Sequence, residues 1–306
     1  MTEIRFDGQV VIVTGAGRGL GRTYGELFAR LGASVVINDL SRQRADETVA
    51  AIAEAGQRAV ASYDSVDTSE GAAAIVATAT ERFGSVDAVV NNAGTMRNGY
   101  LEDLSADDLR DQLDVHVTGS FLVSRAAWPV MRAKGGGRIV MTCSSGGLFA
   151  MPGESNYAAA KGGVYGLMKA LAAEGAEYGI HVNAVLPMAT TLIAVDRPVP
   201  DYERRYPAGI AEALASRRTT EAVAPMVAYL ASRECAVSSE AFAAGFGRYA
   251  RVFVGETRGW CKDEDAPVAT AGEIADHLDD VRDQAEYTVP STIFDEVRWI
   301  AETLGT

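Results

Sequence analysis

The 306-residue chain is 48% hydrophobic and 23% charged, a composition that argues against a disordered tract and suits one large folded domain or two small ones. Lys and Arg number 28 against 41 Asp and Glu, and the resulting formal charge of −13 disfavours nucleic acid and anionic membrane surfaces as partners. Cys143, Cys235 and Cys261 are widely spaced with no CxxC pair or Cys/His cluster, which argues against a disulfide framework and against a metal site.

Apolar β-branched runs alternate with helix-compatible stretches along most of the chain. Strands are expected at 10–13, 34–38, 59–63, 86–90, 138–142, 180–186 and 240–244. Between them, helices are expected at 20–31, 42–55, 72–83, 106–134, 157–178 and 221–232. Strands alternating with helices of ten or more residues mean βαβ units, hence a doubly wound α/β fold with a parallel sheet and helices on both faces. Residues 188–220 contain Pro198, Pro200 and Pro207 and cannot form one regular helix, so they read as a substrate loop. Residues 1–260 then make one domain, and 261–306 a helical C-terminal extension with helices at 271–287 and 291–304. In the latter, Ile293, Val297, Ile300 and Leu304 recur at helical spacing, so the tail is expected to be a packed subunit-contact element rather than a loosely attached appendage. Residues 1–7 carry no apolar stretch of signal-peptide type, and no window offers the roughly 18 uninterrupted apolar residues of a membrane span. The expected location is the cytoplasm.

Between the first strand and first helix stands Thr14-Gly15-Ala16-Gly17-Arg18-Gly19-Leu20-Gly21. Gly15 permits a tight turn, Gly19 lets backbone approach a pyrophosphate, and Gly21 allows the helix to lie close on the strand. The helix N-terminus then offers unpaired N–H groups to phosphates. This is a Rossmann-like dinucleotide loop. About twenty residues on, Asp39 ends the second strand, where a carboxylate accepts hydrogen bonds from adenosine ribose hydroxyls and repels a 2′-phosphate. NAD is therefore expected over NADP, although Arg18 and Arg22 could greet a 2′-phosphate, and Asp39 could instead cap the following helix.

Further motifs make the chain similar to the short-chain dehydrogenase/reductase family. They are the TGxxxGxG spacing of Thr14 to Gly21, Asn91-Asn92-Ala93-Gly94 after the fourth strand, Asp64-Ser65-Val66, and Tyr157 with Lys161 as YxxxK, thirteen residues beyond Ser144. The resemblance covers residues 7 to about 250 and implies an NAD-linked oxidoreductase. It implies cofactor contacts from Asp64, Ser65 and Val66 around the adenine, and from Leu20, Asn91, Ala93, Gly94 and Pro187. Lys161 would also hold the nicotinamide ribose.

The chemistry can be read from residue types. Tyr157 and Lys161, four apart, share one helix face. A tyrosine ordinarily titrates near 10, and a nearby ammonium is expected to lower that by stabilising the phenolate. Ser144, at the C-terminal end of the fifth strand, can hydrogen-bond the substrate oxygen. Tyr157 would then remove the hydroxyl proton in oxidation and return it in reduction. Ser145 reads as packing or a turn, and Cys143 as a buried strand residue rather than a nucleophile.

In Asp114-Val115-His116-Val117-Thr118-Gly119-Ser120-Phe121, His116 stands where many family members carry an asparagine that maintains a proton-relay water. It is read either as that relay or as a satisfied helix histidine. The same segment, with Ser124-Arg125-Ala126-Ala127-Trp128, is similar to the dehydrogenase domains of peroxisomal multifunctional enzymes of type 2. That resemblance implies oxidation of a 3-hydroxyacyl-CoA or a 17β-hydroxysteroid, and a homodimer or homotetramer. After Pro187 the substrate segment Met-Ala-Thr-Thr departs from the group. Arg197, Arg204, Arg205, Arg217 and Arg218 could offset the acidity around a CoA, or be solvated surface charges. A 3-hydroxyacyl-CoA substrate leads; a free steroid, terpenoid or small alcohol follows, and a non-catalytic NAD-binding interaction protein is the alternative of another class.

Overall fold

Five consecutive buried residues make β1 (Val10–Thr14), five more make β2 (Ser34–Asn38), and four make β4 (Ala88–Asn91). Such unbroken burial is what a parallel strand between two helix layers requires, where both faces are covered. The computed structural model describes residues 4–190, 209–263 and 265–305. The remaining strands are β3 (Arg58–Ser62), β5 (Gly137–Thr142), β6 (Ile180–Met188), β7 (Ala241–Gly245) and β8 (Arg248–Val252). One sheet joins them in the order β3-β2-β1-β4-β5-β6-β7-β8, and the pairs from β3 to β7 are parallel. The order reverses between β1 and β4. That opens a crevice at the C-terminal ends of the strands, where ligands bind in sheets of this kind.

The flanking helices are α1 (Gly19–Arg30), α2 (Arg42–Glu54), α3 (Ser69–Phe83), α4 (Ala106–Leu113), α5 (Gly119–Ala133), the short α6 (Ser145–Phe149) and α7 (Ser155–Gly175). Beyond them lie the five-residue α8 (Ile210–Leu214) and α9 (Ala224–Ala231). Local chemistry sets their ends. Thr68 accepts from Gly71 N–H to start α3, Gly84 closes it in the left-handed region, and Ser105 with Asp108 forms a capping box on α4. The expected helix 106–134 is helical throughout, but Asp114–Thr118 winds as a π segment. On one side α1 packs with α9, and on the other α3 packs with α5. Phe6 and Phe28 meet edge to face at 5.0 Å within the core that Val11, Val13, Val35, Ile37 and Val90 build. Among the described residues no helix is long and apolar enough to cross a membrane.

The chain divides into compact units Met1–Arg251 and Val252–Thr306. The second holds a two-stranded antiparallel ribbon, β9 (Glu256–Thr257) with β10 (Tyr287–Thr288), none of it anticipated. It also holds helices α10 (Ala271–Asp276), α11 (Leu278–Val281) and α12 (Ile293–Leu304). The expected helix 271–287 is thus broken into two short pieces, and Tyr287 lies in a strand. Asp279, Asp280 and Asp283 fall from its midpoint onward, where carboxylates oppose the helix dipole towards the C-terminus. Ile293, Val297, Ile300 and Leu304 form an apolar face that is exposed within the single chain. Helical periodicity reports that one face is apolar, not that something in the chain covers it.

Candidate active site

The glycine loop is closed so tightly that Gly15, Gly17 and Gly21 admit no side chain without a shift of their neighbours. A Cβ at Gly15 would stand 2.8 Å from Ala93 Cα, and one at Gly21 would stand 2.3 Å from the Gly15 carbonyl oxygen. Gly19, at φ +54°, has open space instead, so the backbone is bare where phosphates would approach. Arg18, the N-cap of α1, makes no side-chain cap, and no acidic residue occupies the first turn. The helix thus presents uncapped N–H groups and its positive end to that space. These features fit a dinucleotide.

The carboxylate of Asp39 accepts from Gly17 N–H at 3.1 Å and Ser41 N–H at 2.9 Å, and pairs with Arg44 at 3.8 Å. It does not cap α2; Ser41 does. Arg22 is drawn to Glu26 at 2.8 Å and does not line the crevice, whereas Arg18 does. The ends of β1 and β4 are clasped by groups the sequence reading passed over. Thr14 Oγ1 accepts from the N–H groups of Asn92 and Ala93, both at 3.0 Å, and Asn92 Nδ2 donates to the Thr14 carbonyl at 2.9 Å. Asn91, by contrast, is buried away from the crevice and donates to Ser124 Oγ at 2.9 Å. Of the two asparagines in NNAG, the second lines the cavity. Alternation of side chains along β4 is the signal that could have separated them.

β5 ends at Thr142, so Ser144 stands just past the strand, as the N-cap of α6, and Ser145 opens that helix. Ser144 Oγ accepts from Gly146 N–H at 3.1 Å. Tyr157 and Lys161 lie on α7, and Lys161 Nζ donates to the Thr142 carbonyl at 2.6 Å. Cys143 is buried, its thiol directed at the Lys161 carbonyl, and burial pushes it up, so it is no ready nucleophile. Burial lowers Lys161 to about 8. The expected lowering of Tyr157 is not found: burial pushes the phenol up, outweighing the hydrogen bond from Ser144, and the nearby Glu154 adds to the rise. Spacing could show that Tyr157 and Lys161 share a face but not how dry the pocket is.

His116 is brought in by the π segment and sits against Gly94, where a Cβ would stand 2.6 Å from His116 Cε1. Its ring meets Tyr157 edge to face at 5.5 Å. Nε2 lies 2.9 Å from the Thr95 carbonyl oxygen and 3.4 Å from the Thr95 nitrogen. The shorter contact assigns the proton to Nε2 and leaves Nδ1 an acceptor. Nδ1 is buried and has no hydrogen-bond partner among the described residues. Burial and the Lys161 charge hold the ring well below the usual histidine range, so it is neutral at pH 7.

One cavity of about 950 Å³ gathers these groups. Its wall includes Gly15, Arg18, Gly19, Leu20, Asp39, Asp64, Ser65, Val66, Ala93, Gly94 and Pro187, together with His116, Ser144, Tyr157 and Lys161. Arg44, Asn92, Arg97, Met151 and Glu154 also line it and were not anticipated. Arg218 reaches the wall; Arg217 is exposed outside it, and Arg197, Arg204 and Arg205 lie outside the described residues.

Residues 9–199 match the family model of the short chain dehydrogenases. Over 253 aligned residues the chain is 44% identical to a Mycobacterium tuberculosis protein named as a short-chain type dehydrogenase/reductase, covering 80% of this chain and 84% of that one. Over 312 aligned residues it is 37% identical to peroxisomal multifunctional enzyme type 2 of Mus musculus, covering 99% of this chain and 40% of the relative. The solved structure of the full-length enzyme of that name from Drosophila melanogaster matches with a TM-score of 0.80 at 32% identity, over 99% of this chain and 50% of that one. The chain thus spans half or less of those two multifunctional proteins. It belongs to the short-chain dehydrogenase/reductase family of oxidoreductases.

Proposed function

From that membership we propose that the protein is an NAD-dependent secondary-alcohol dehydrogenase whose substrate is a 3-hydroxyacyl-CoA. The observation that carries the reading is the single cavity wall shared by the bare Gly19 backbone, Asp39, Ser144, Tyr157 and Lys161. NAD bound there supplies a hydride acceptor and a positively charged ring. Ser144 holds the substrate oxygen, and Tyr157 exchanges the hydroxyl proton. A phenol raised by burial suits the acid of the reductive direction. In oxidation its proton must pass onward, and the Lys161 amine, near 8, carries a proton readily close to neutral pH. The buried Nδ1 acceptor of His116 extends that route to a bridging water. The thioester is supported by the resemblance to the multifunctional dehydrogenases and by Arg97 and Arg218 in the wall, which suit an anionic CoA. That resemblance also supports a homodimer or homotetramer.

A substrate series tests the reading. A medium-chain 3-hydroxyacyl-CoA should turn over with NAD, and kcat/KM should collapse when CoA is cut back to N-acetylcysteamine. Turnover of 17β-estradiol alone would contradict the CoA assignment and keep the chemistry. Asp39→Ala should lower the preference for NAD over NADP by about 100-fold, since a charged hydrogen-bond partner is lost and a repulsive charge removed. Ratios of kcat/KM for the two cofactors measure this. His116→Leu should lower kcat by about 10- to 100-fold with little change in the KM for NAD, and His116→Asn should restore most of it. A satisfied helix histidine would show neither the loss nor the rescue.

A further inference from the structure

Glu154 sits three residues before Tyr157 and is 4% exposed, yet no described group donates a hydrogen bond to its carboxylate. As the N-cap of α7 it would ordinarily spend that carboxylate on the first turn. It does not: Glu154 makes no side-chain cap, and Asn156 Oδ1 accepts from Tyr157 N–H at 2.8 Å in its stead. The backbone is anchored from both directions. Ala158 N–H donates to the Glu154 carbonyl at 2.7 Å, and a bridge pairs Glu154 with Gly99. The side chain is therefore directed, not loose, and it faces the cavity.

Its position relative to the chemistry follows from Gly146. A Cβ there would stand 2.9 Å from Glu154 Oε2, 3.5 Å from Ser144 Oγ and 3.8 Å from Tyr157 Cε1. The carboxyl group thus shares one wall with the two groups that hold the reacting oxygen. Burial shifts Glu154 upward, as expected for a carboxylate with few donors around it. In a 3-hydroxyacyl substrate, C1 is two bonds from the carbinol carbon, so its substituent must lie close to this wall.

We infer that Glu154 is a specificity residue: it admits a substrate whose C1 group is neutral, such as a thioester or ester carbonyl, and rejects a free 3-hydroxy acid. Two carboxylates on one largely buried wall repel, whereas a neutral carbonyl meets no such penalty and can accept a hydrogen bond from the acid form. The inference rests on the acyl-substrate reading above and deepens it.

The test is binding to the enzyme–NADH complex, where no turnover occurs, followed by the fluorescence of bound NADH. Methyl 3-hydroxyoctanoate and 3-hydroxyoctanoate both lack CoA and differ in charge at C1. In the wild type the ester should bind roughly 100-fold more tightly than the acid at pH 8. Glu154→Gln should narrow the ratio to about 10-fold or less by strengthening binding of the acid, while Glu154→Asp, which keeps the charge, should preserve discrimination. Equal binding of ester and acid in the wild type, or a ratio that Gln leaves unmoved, overturns the role of Glu154 alone. If neither ligand binds while 17β-estradiol does, the acyl reading falls and the inference with it.

Discussion

Tyr157→Phe is expected to lower turnover by about 10³- to 10⁴-fold in both directions while NADH affinity stays within about twofold. In the proposed mechanism the phenol exchanges the proton with the substrate oxygen, while Ser144 Oγ accepts from Gly146 N–H and Lys161 Nζ donates to the Thr142 carbonyl. Phenylalanine keeps the ring and its edge contact with His116, so packing is largely retained and the loss belongs to the proton step. Single-turnover kinetics and an NADH titration on the same preparation separate the two quantities. A variant that turns over within tenfold of wild type would mean that another group moves the proton.

Gly21→Ala should both destabilise the protein and abolish useful cofactor binding. The new Cβ would meet the Gly15 carbonyl oxygen at 2.3 Å, Asn92 Nδ2 at 2.6 Å and Ala16 Cα at 2.9 Å. Two of those three are backbone, so the turn itself must open, and the cost is about 1–3 kcal/mol by the measure of overpacked sites. Moving Gly15 and Asn92 also disturbs the clasp between β1 and β4, and with it the N–H groups that face the phosphates. NADH affinity should fall at least about 100-fold, roughly two charge-assisted hydrogen bonds. Gly19→Ala offers the contrast: open space surrounds it, so it carries the left-handed backbone penalty of about 1–2 kcal/mol without a clash. Urea denaturation and fluorescence titration of both variants check the ordering.

The sheet was readable because β1, β2 and β4 are buried on both faces and therefore spell continuous apolar runs. The same logic fails beyond residue 251. β9 and β10 are two residues each and half exposed, too short for any period to register. In α12 the period correctly marked an apolar face, but a period does not report what covers that face. At the site, Asp39, Ser144, Tyr157 and Lys161 were legible because chemistry demands those types at those spacings. Glu154 was not, since a lone carboxylate carries no pattern until the fold brings Gly146 beside it, and the motifs that hold Thr14 and Asn92 did not show that these two residues clasp β1 to β4. Tyr157 shows a further limit: its neighbours in sequence suggested a lowered phenol, and burial, which sequence spacing does not report, reverses the direction.

The most direct test of the account is the absorbance of reduced nicotinamide when the purified protein meets a medium-chain 3-hydroxyacyl-CoA with NAD, and in parallel with NADP. Hydride transfer at the Ser144–Tyr157–Lys161 site predicts rapid NADH formation, slower NADPH formation, and no signal above background from Tyr157→Phe. Tight NADH binding without turnover of the thioester or any other secondary alcohol would contradict it and leave a protein that binds the dinucleotide for some purpose other than hydride transfer.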